Sequence, residues 1–250
     1  MAKHNKWSKV KHRKAVVDKR RGKVWTKISK ALMVAARNGG PDPDTNLTLR
    51  YAMDEARYAN MPRETVERAI AKGAGGGDTS NFEAVRYEGY APGGAAVVVD
   101  ALTDNRTRTI TLVRTAFTEH DANIGASGCV AHMFQFCGQI LIEGANLNDE
   151  RIIEAALEAG AKDVRSPSPL PEADEEAQWI VLTDVPSFNA VKDALERAKL
   201  PIAEASLAMV PDDKVVVSGE HAQTVADLLE ALEDIDDVQK VYTNAELADE

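Results

Sequence analysis

Apolar positions recur at helical spacing over the first third of the chain and at strand spacing over much of the remainder. From Gly22 onward, Val24, Ile28, Ala31, Leu32 and Ala35 fall on one arc at 3.6 residues per turn and predict a helix with a buried stripe. Arg20, Lys23, Lys27, Lys30 and Arg37 gather on a separate arc of about 100°, a cationic rail beside the packed face. Asn38, Gly39 and Gly40 predict the end of that helix. Asp42 and Pro43 read as the N-cap and first residue of a second, whose stripe is Leu49, Ala52, Met53 and Ala56. Pro62 opens a third helix, with Val66, Ala69 and Ile70 facing inward and Gly73 closing it. A small helical bundle is expected over residues 22–77.

The stretch GAGGGDTSN, residues 73–81, reads as a linker. Its glycines do not make a dinucleotide fingerprint, which must follow a strand and open a helix, whereas this run follows a helix and precedes a strand. Strands are predicted at 83–90 and 95–103 around a turn at Pro92, Gly93 and Gly94. A helix is predicted from Arg106 to Glu119 with Ile110, Val113 and Phe117 inward. The next segment alternates as βαββαβ. Its helices carry Ile152, Ile153, Ala156 and Leu157, then Phe188, Val191 and Leu195, and an acidic, Pro-rich loop SPSPLPEADEE divides its middle strands. Residues 210–250 give only strand, helix and strand, too little to cover both faces of a sheet, so they are expected to complete the sheet begun at 83–103. The predicted fold class is α+β: a basic arm (1–21), a helical bundle (22–77), then two α+β domains of ferredoxin-like or related type. One of these is split (78–130 plus 210–250), and the other (131–209) is inserted in it.

Charge changes this picture from architecture to partner. The first thirty residues hold twelve Lys or Arg and one acid, +11, although the whole chain is at −10; residues 31–72 are neutral and residues 73–250 are at −21. A polyanion would be drawn to the arm and repelled by the body. Trp7 sits among the cations, which suits a nucleic acid whose bases can be stacked upon. A solvated basic tail is the alternative. The candidate nucleic-acid-binding residues are Lys3, Lys6, Trp7, Lys9, Lys11, Arg13, Lys14, Lys19, Arg20, Arg21, Lys23, Lys27 and Lys30. No apolar run approaches the ~18 residues of a membrane span, no secretory h-region opens the chain, and two cysteines make no disulfide framework. A cytoplasmic protein is expected, although a mitochondrial transit peptide is also basic and poor in acids.

Catalytic constellations are thin. Ser127 in GASGC lacks the spacing of a nucleophile elbow. Cys129, His132 and Cys137 lack a fourth metal ligand, and on a strand His132 would point opposite to Cys137. Glu172, Asp174, Glu175 and Glu176 read as a solvated hairpin tip. No metal or cofactor is expected, and an enzyme, which would need a deep pocket of converging titratable groups around Arg106 and Arg108, stands only as a third alternative. TDNRTRT, residues 103–109, leaves two readings open. Asn105, Arg106 and Arg108 could hold an anion at a helix N-terminus, with Asp104 or Asn105 as cap, or the arginines could pair with local acids.

Four blocks, HNKWSKVKHRKAVVDKRRGK, ARYANMPRETVERAIAKG, YEGYAPGGAAVVVDALTDNRTRT and ASGCVAHMF, resemble in order the motifs of the YebC/PmpR family, over nearly the whole chain. His4-Asn5-Lys6-Trp7 stands where that family usually reads Gly-His-Ser-Lys-Trp, and Thr107 where Asn is common; neither removes a charge. The resemblance implies a three-domain α+β protein with a non-enzymatic role in gene expression, described for the family as DNA-binding transcriptional regulation. Its mitochondrial relatives, the translational activator of cytochrome oxidase among them, and its bacterial members linked to proline-rich stretches imply the ribosome instead. The residues themselves lean toward RNA. The third helix, Pro62 to Lys72, has balanced charge and no helix-turn-helix is evident, whereas a basic arm that orders on structured RNA needs no base-reading helix.

Overall fold

The rail begins earlier than its apolar stripe does. In the computed structural model, which describes residues 14–75, 82–143, 149–166 and 178–248, helix α1 runs Lys14–Gly39. The Lys and Arg of residues 14–21 are good helix formers, so the helix starts within the basic arm rather than at Gly22. Ile28, Leu32, Ala35 and Ala36 of α1 are buried, but the stripe narrows toward the N-terminus, where Val24 stays 43% exposed. Helix α2 spans Leu47–Tyr58 and α3 spans Arg63–Ala74. A Cβ at Gly73 would collide with the carbonyl of Met33, so α3 meets α1 at a residue without a side chain.

Asp42 and Pro43 do not open α2. The Asp42 carboxylate accepts from the Asp44 N–H at 3.0 Å and closes a turn of its own. The cap is buried Asn46: its oxygen accepts from Leu49 N–H at 3.1 Å, and its amide donates to the carbonyls of Ala35 and Gly40, each at 2.8 Å. One side chain thus ends α1 and starts α2.

The chain divides into two compact units. The first holds residues up to Ala52, Met61–Gln135 and those from Val210 on. Strands β1 (Glu83–Tyr90) and β2 (Ala96–Thr103) pair antiparallel across a turn in which Gly93 adopts φ 76° and Gly94 φ 79°. Helix α4 (Arg106–Glu119) comes next, and the two-residue β3 (Asn123–Ile124) returns to β1. Helix α7 (Gly219–Glu233) and strand β9 (Val238–Thr243) come from the C-terminal segment, with β9 antiparallel to β2, giving the order β3-β1-β2-β9. Val97, Val99, Val113, Phe117, Val225, Leu228 and Leu232 share one core. The strand near Val216 does not join this sheet. β8 (Val215–Ser218) pairs in parallel with β10 (Ala245–Ala248), because Asn244 diverts the chain after β9: its side chain accepts from Ala96 N–H at 2.7 Å and its carbonyl from Val215 N–H at 2.9 Å.

The second unit holds Phe136–Met209 with Met53–Asn60. Strands β4 (Phe134–Glu143), β5 (Asp163–Arg165), β6 (Gln178–Thr183) and β7 (Ile202–Pro211) lie in the order β5-β6-β4-β7, with helices α5 (Asp149–Glu158) and α6 (Phe188–Arg197) between them in the chain. This is the split βαβ arrangement. Ile152 and Ala156 face its core. Ile153 and Leu157, grouped with them in the sequence, sit about 100° further round the helix and stay exposed, Leu157 at 54%. Lys192 reaches Asp54 at 2.5 Å, and Arg57 and the Tyr58 hydroxyl both meet Glu196. The acidic loop with Glu172, Asp174, Glu175 and Glu176 lies outside the described residues.

Candidate nucleic-acid interface

The sequence-predicted cations separate into three groups. Lys3, Lys6, Trp7, Lys9, Lys11 and Arg13 lie outside the described residues. Lys14, Lys19, Arg20 and Arg21 lie on the backbone of α1, so the basic run extends along a helix. Lys23, Lys27 and Lys30 face the protein's own C-terminal segment. Lys23 pairs with Asp234 at 2.8 Å, and Lys27 donates to the Glu233 carbonyl at 2.7 Å. Lys30 donates to the Asp236 carbonyl at 3.0 Å and the Asp237 carboxylate at 3.2 Å, and its ammonium lies 5.6 Å from the centre of the Phe82 ring. The last turn of α7 leaves carbonyls without helical partners at the negative end of its dipole, and the acids just beyond it add charge. Lys27 and Lys30 therefore leave the candidate interface. The Lys23–Asp234 pair, half-buried at Lys23 and exposed at Asp234, is weak enough for Lys23 to remain at its edge.

Asp237 is the centre of this joint. It is 4% exposed, its carbonyl accepts from Leu102 N–H of β2 at 2.8 Å, and its Oδ2 receives Arg108 at 2.6 and 3.1 Å and the Thr109 hydroxyl at 2.9 Å. Burial raises its carboxyl, but the bonds from Arg108, Thr109 and Lys30 outweigh burial and hold it below the ordinary value. Helix α1, the start of α4 and the turn after α7 thus converge on one carboxylate. Neither its neighbours nor its spacing in the sequence marks Asp237 out; an acid directly before the buried Val238 is the available signal.

At TDNRTRT the local pairing is the one observed. Asn105 caps α4, its oxygen accepting from Arg108 N–H at 3.0 Å, and Arg108 pairs with both Asp237 and Asp104. Those bonds raise the guanidinium further above its ordinary value. Arg106 is exposed and makes no ion pair among the described residues. Of the three candidate anion ligands, it alone makes no ion pair or cap bond among the described residues.

The block ASGCVAHMF is organised by a residue of another block, YEGYAPGG, to which the sequence alone assigns no role. Glu88 of β1 is 4% exposed; one oxygen accepts from Gly128 N–H at 2.8 Å, the other from Val130 at 2.9 Å and Ala131 at 2.8 Å. Burial pushes this carboxyl up, and the three backbone bonds bring it below the ordinary value. The Tyr90 hydroxyl donates to the Cys129 carbonyl at 3.1 Å. His132 sits exposed in a 3-10 turn, Ala131–Met133, not on the strand expected for it. Burial raises the thiols of Cys129 and Cys137 above their ordinary value, which opposes thiolate chemistry. Among the described residues no three His, Cys, Asp or Glu side chains are grouped to hold a metal ion, and no helix is long and apolar enough to cross a membrane.

Residues 5–76 match the TACO1/YebC protein N-terminal domain, and residues 82–245 match the TACO1/YebC second and third domain. The chain belongs to the TACO1/YebC family. Proteins from Burkholderia mallei strain SAVP1 and Burkholderia pseudomallei strain 668, each named a probable transcriptional regulatory protein, are 48% identical to it over 250 residues, the whole length of both chains. The crystal structure of a conserved hypothetical protein from Aquifex aeolicus is similar with a TM-score of 0.83 and 45% identity, covering 96% of each chain. The boundary between the two family segments, 77–81, falls in the Gly-rich linker.

Proposed function

We propose that this TACO1/YebC-family protein is a non-enzymatic regulator of gene expression that binds nucleic acid through its basic N-terminal arm. The partition of charge carries the reading: +11 over residues 1–30 against −21 over residues 73–250. The names of the Burkholderia relatives support a regulatory role. Contacts come from Lys3, Lys6, Trp7, Lys9, Lys11, Arg13, Lys14, Lys19, Arg20 and Arg21, with Lys23 at the edge, while Lys27 and Lys30 fasten α1 to the body that carries it. The protein works in the cytoplasm and needs no cofactor.

RNA is the preferred target, ribosomal RNA in particular. The arm offers cations and a stacking ring, and although α1 carries its last cations on a helix, no helix-turn-helix is evident in the sequence, which suits structured RNA with accessible bases. DNA binding at a promoter is the second reading, favoured by the words in the relatives' names. Titrating a structured RNA and a duplex DNA with the full chain over a range of salt separates them. The RNA affinity is expected to exceed that for random duplex. Replacing Lys9, Lys11 and Lys14 by Ala should reduce the slope of log K against log salt by about 2 to 3. Trp7→Ala should weaken RNA binding by about 1–3 kcal/mol with the slope unchanged. Tight promoter footprints without ribosome co-sedimentation would replace RNA by DNA, and undiminished affinity in the triple variant would remove the arm from the interface.

A further inference from the structure

The four helices of the two α+β domains differ in the sign of their charge. Formal charge is −3 on α5, zero on α6 and −4 on α7, but +2 on α4, where Arg106, Arg108 and Arg114 are opposed only by Glu119 in the final position. The outward arc of α4 carries Thr107, Thr111, Arg114, Thr115 and Thr118, all exposed, with Arg106 at its head. Leu112 is exposed beside them. Most other cations of these domains meet a partner: Arg86 with Asp100, Arg165 with Asp163, Lys192 with Asp54, Lys214 with Glu246. Arg106 and Arg114 make no ion pair among the described residues.

Two guanidinium groups without an ion pair among the described residues, a row of hydroxyls and no acid within α4 before residue 119 fit a sugar–phosphate backbone. Guanidinium forks match phosphate oxygens, and threonine hydroxyls bond phosphates and ribose 2′-hydroxyls. We infer that the exposed face of α4, headed by Arg106 and centred on Arg114, is a second RNA-backbone contact besides the arm. This rests on the reading that the protein binds RNA. Asp237 gives the two contacts a fixed relation, because it bonds Lys30 of the arm-bearing helix and Arg108 of α4 at once. An RNA reaching from the arm to α4 would then be measured by the body rather than held by a tail alone.

The test uses the full-length protein and an RNA hairpin with a single-stranded loop, titrated over a range of salt. The variant Arg106→Ala/Arg114→Ala alters two exposed side chains, and Arg151→Ala/Arg165→Ala removes the same charge from the other unit as a control. The α4 variant should lower the slope of log K against log salt by about 1.4 to 1.8 and weaken binding, with the control near wild type. Adding it to the Lys9, Lys11 and Lys14 replacements should lower the slope further. Equal slopes for the α4 variant and wild type, while the arm variant still loses binding, would overturn the second contact and leave the arm reading standing. Equal losses in variant and control would reduce the effect to net charge and also overturn it. A wild-type chain that does not bind the hairpin would overturn both readings together.

Discussion

Two buried carboxylates in the same unit are stabilised by opposite means. Glu88 meets no counter-charge among its direct partners: three backbone N–H groups from one loop surround it. Asp237 meets two cations and a hydroxyl brought from two separate helices, α1 and α4. A carboxylate held by dipoles can shape the segment that supplies them and little else. One held by side-chain charges ties distant segments to each other, and it loses the tie if either side moves. The difference assigns their roles: Glu88 gives ASGCVAHMF its conformation, whereas Asp237 positions the helix that carries the basic arm.

Removing the charge-held carboxylate should have the larger effect. Asp237→Ala leaves the ammonium of Lys30, which is largely buried, and the guanidinium of Arg108 without their shared partner. Breaking one side of a buried pair costs about 3–5 kcal/mol, and the lower end is expected because Arg108 keeps access to water. Chemical denaturation measures the loss, and hydrogen exchange should place it in α1 and α4 together. Loss confined to α4 would mean that Lys30 is not fastened through Asp237.

Glu88→Gln should cost less, about 1.5–3 kcal/mol, because an amide keeps one acceptor and sets an NH2 group against N–H donors that the second oxygen had served. Its pH signature sharpens the contrast. The folded carboxyls of both Glu88 and Asp237 lie below their ordinary values of 4.5 and 3.8, so the unfolded chain takes up protons first as pH falls. Their stabilisation is fully present above the ordinary values and is lost as pH falls through the lower, folded ones. Unfolding free energy measured from neutral to acid pH should therefore drop less steeply for Glu88→Gln than for wild type. Parallel curves would mean that the three N–H bonds do not depend on the charge.

These two residues also mark where sequence legibility ends. The bundle, the β1–β2 hairpin and the βαββαβ order follow from apolar spacing and from Pro and Gly punctuation, which act over a few residues. Asp42 reads as the cap in place of Asn46 because both are cap formers and only the tertiary carbonyls of Ala35 and Gly40 choose between them. Lys27 and Lys30 look the same as the arm's cations in one dimension. What reassigns them is the end of α7, more than two hundred residues away. The charge of the arm is legible without any fold, while the commitment of a given charge to an internal partner depends on long-range contacts that no local pattern encodes.

The smallest effect should come from Lys27, the cationic counterpart of Glu88. Its ammonium bonds the Glu233 carbonyl, a dipole at a helix end, where Lys30 bonds a carboxylate. Burial is the largest influence on it and lowers its pKa below the ordinary 10.5, despite the opposing pull of Glu233 and the neighbouring acids. Lys27→Met keeps the stem that packs and removes a desolvated charge at the loss of one hydrogen bond, so stability near neutral pH should change by no more than about 1 kcal/mol. The alkaline limb is more revealing. With the folded pKa below the unfolded one, the unfolded chain holds the proton more tightly, and this group's contribution to stability rises with pH between the two values. Wild type should show that contribution relative to Lys27→Met when denaturation is followed into the alkaline range, whereas Lys30→Met should cost stability already at neutral pH by stripping Asp237 of a cation. Equal losses at neutral pH from the two lysines would mean that a helix-end carbonyl holds a buried charge as well as a carboxylate does, and the contrast between Glu88 and Asp237 would fail with it.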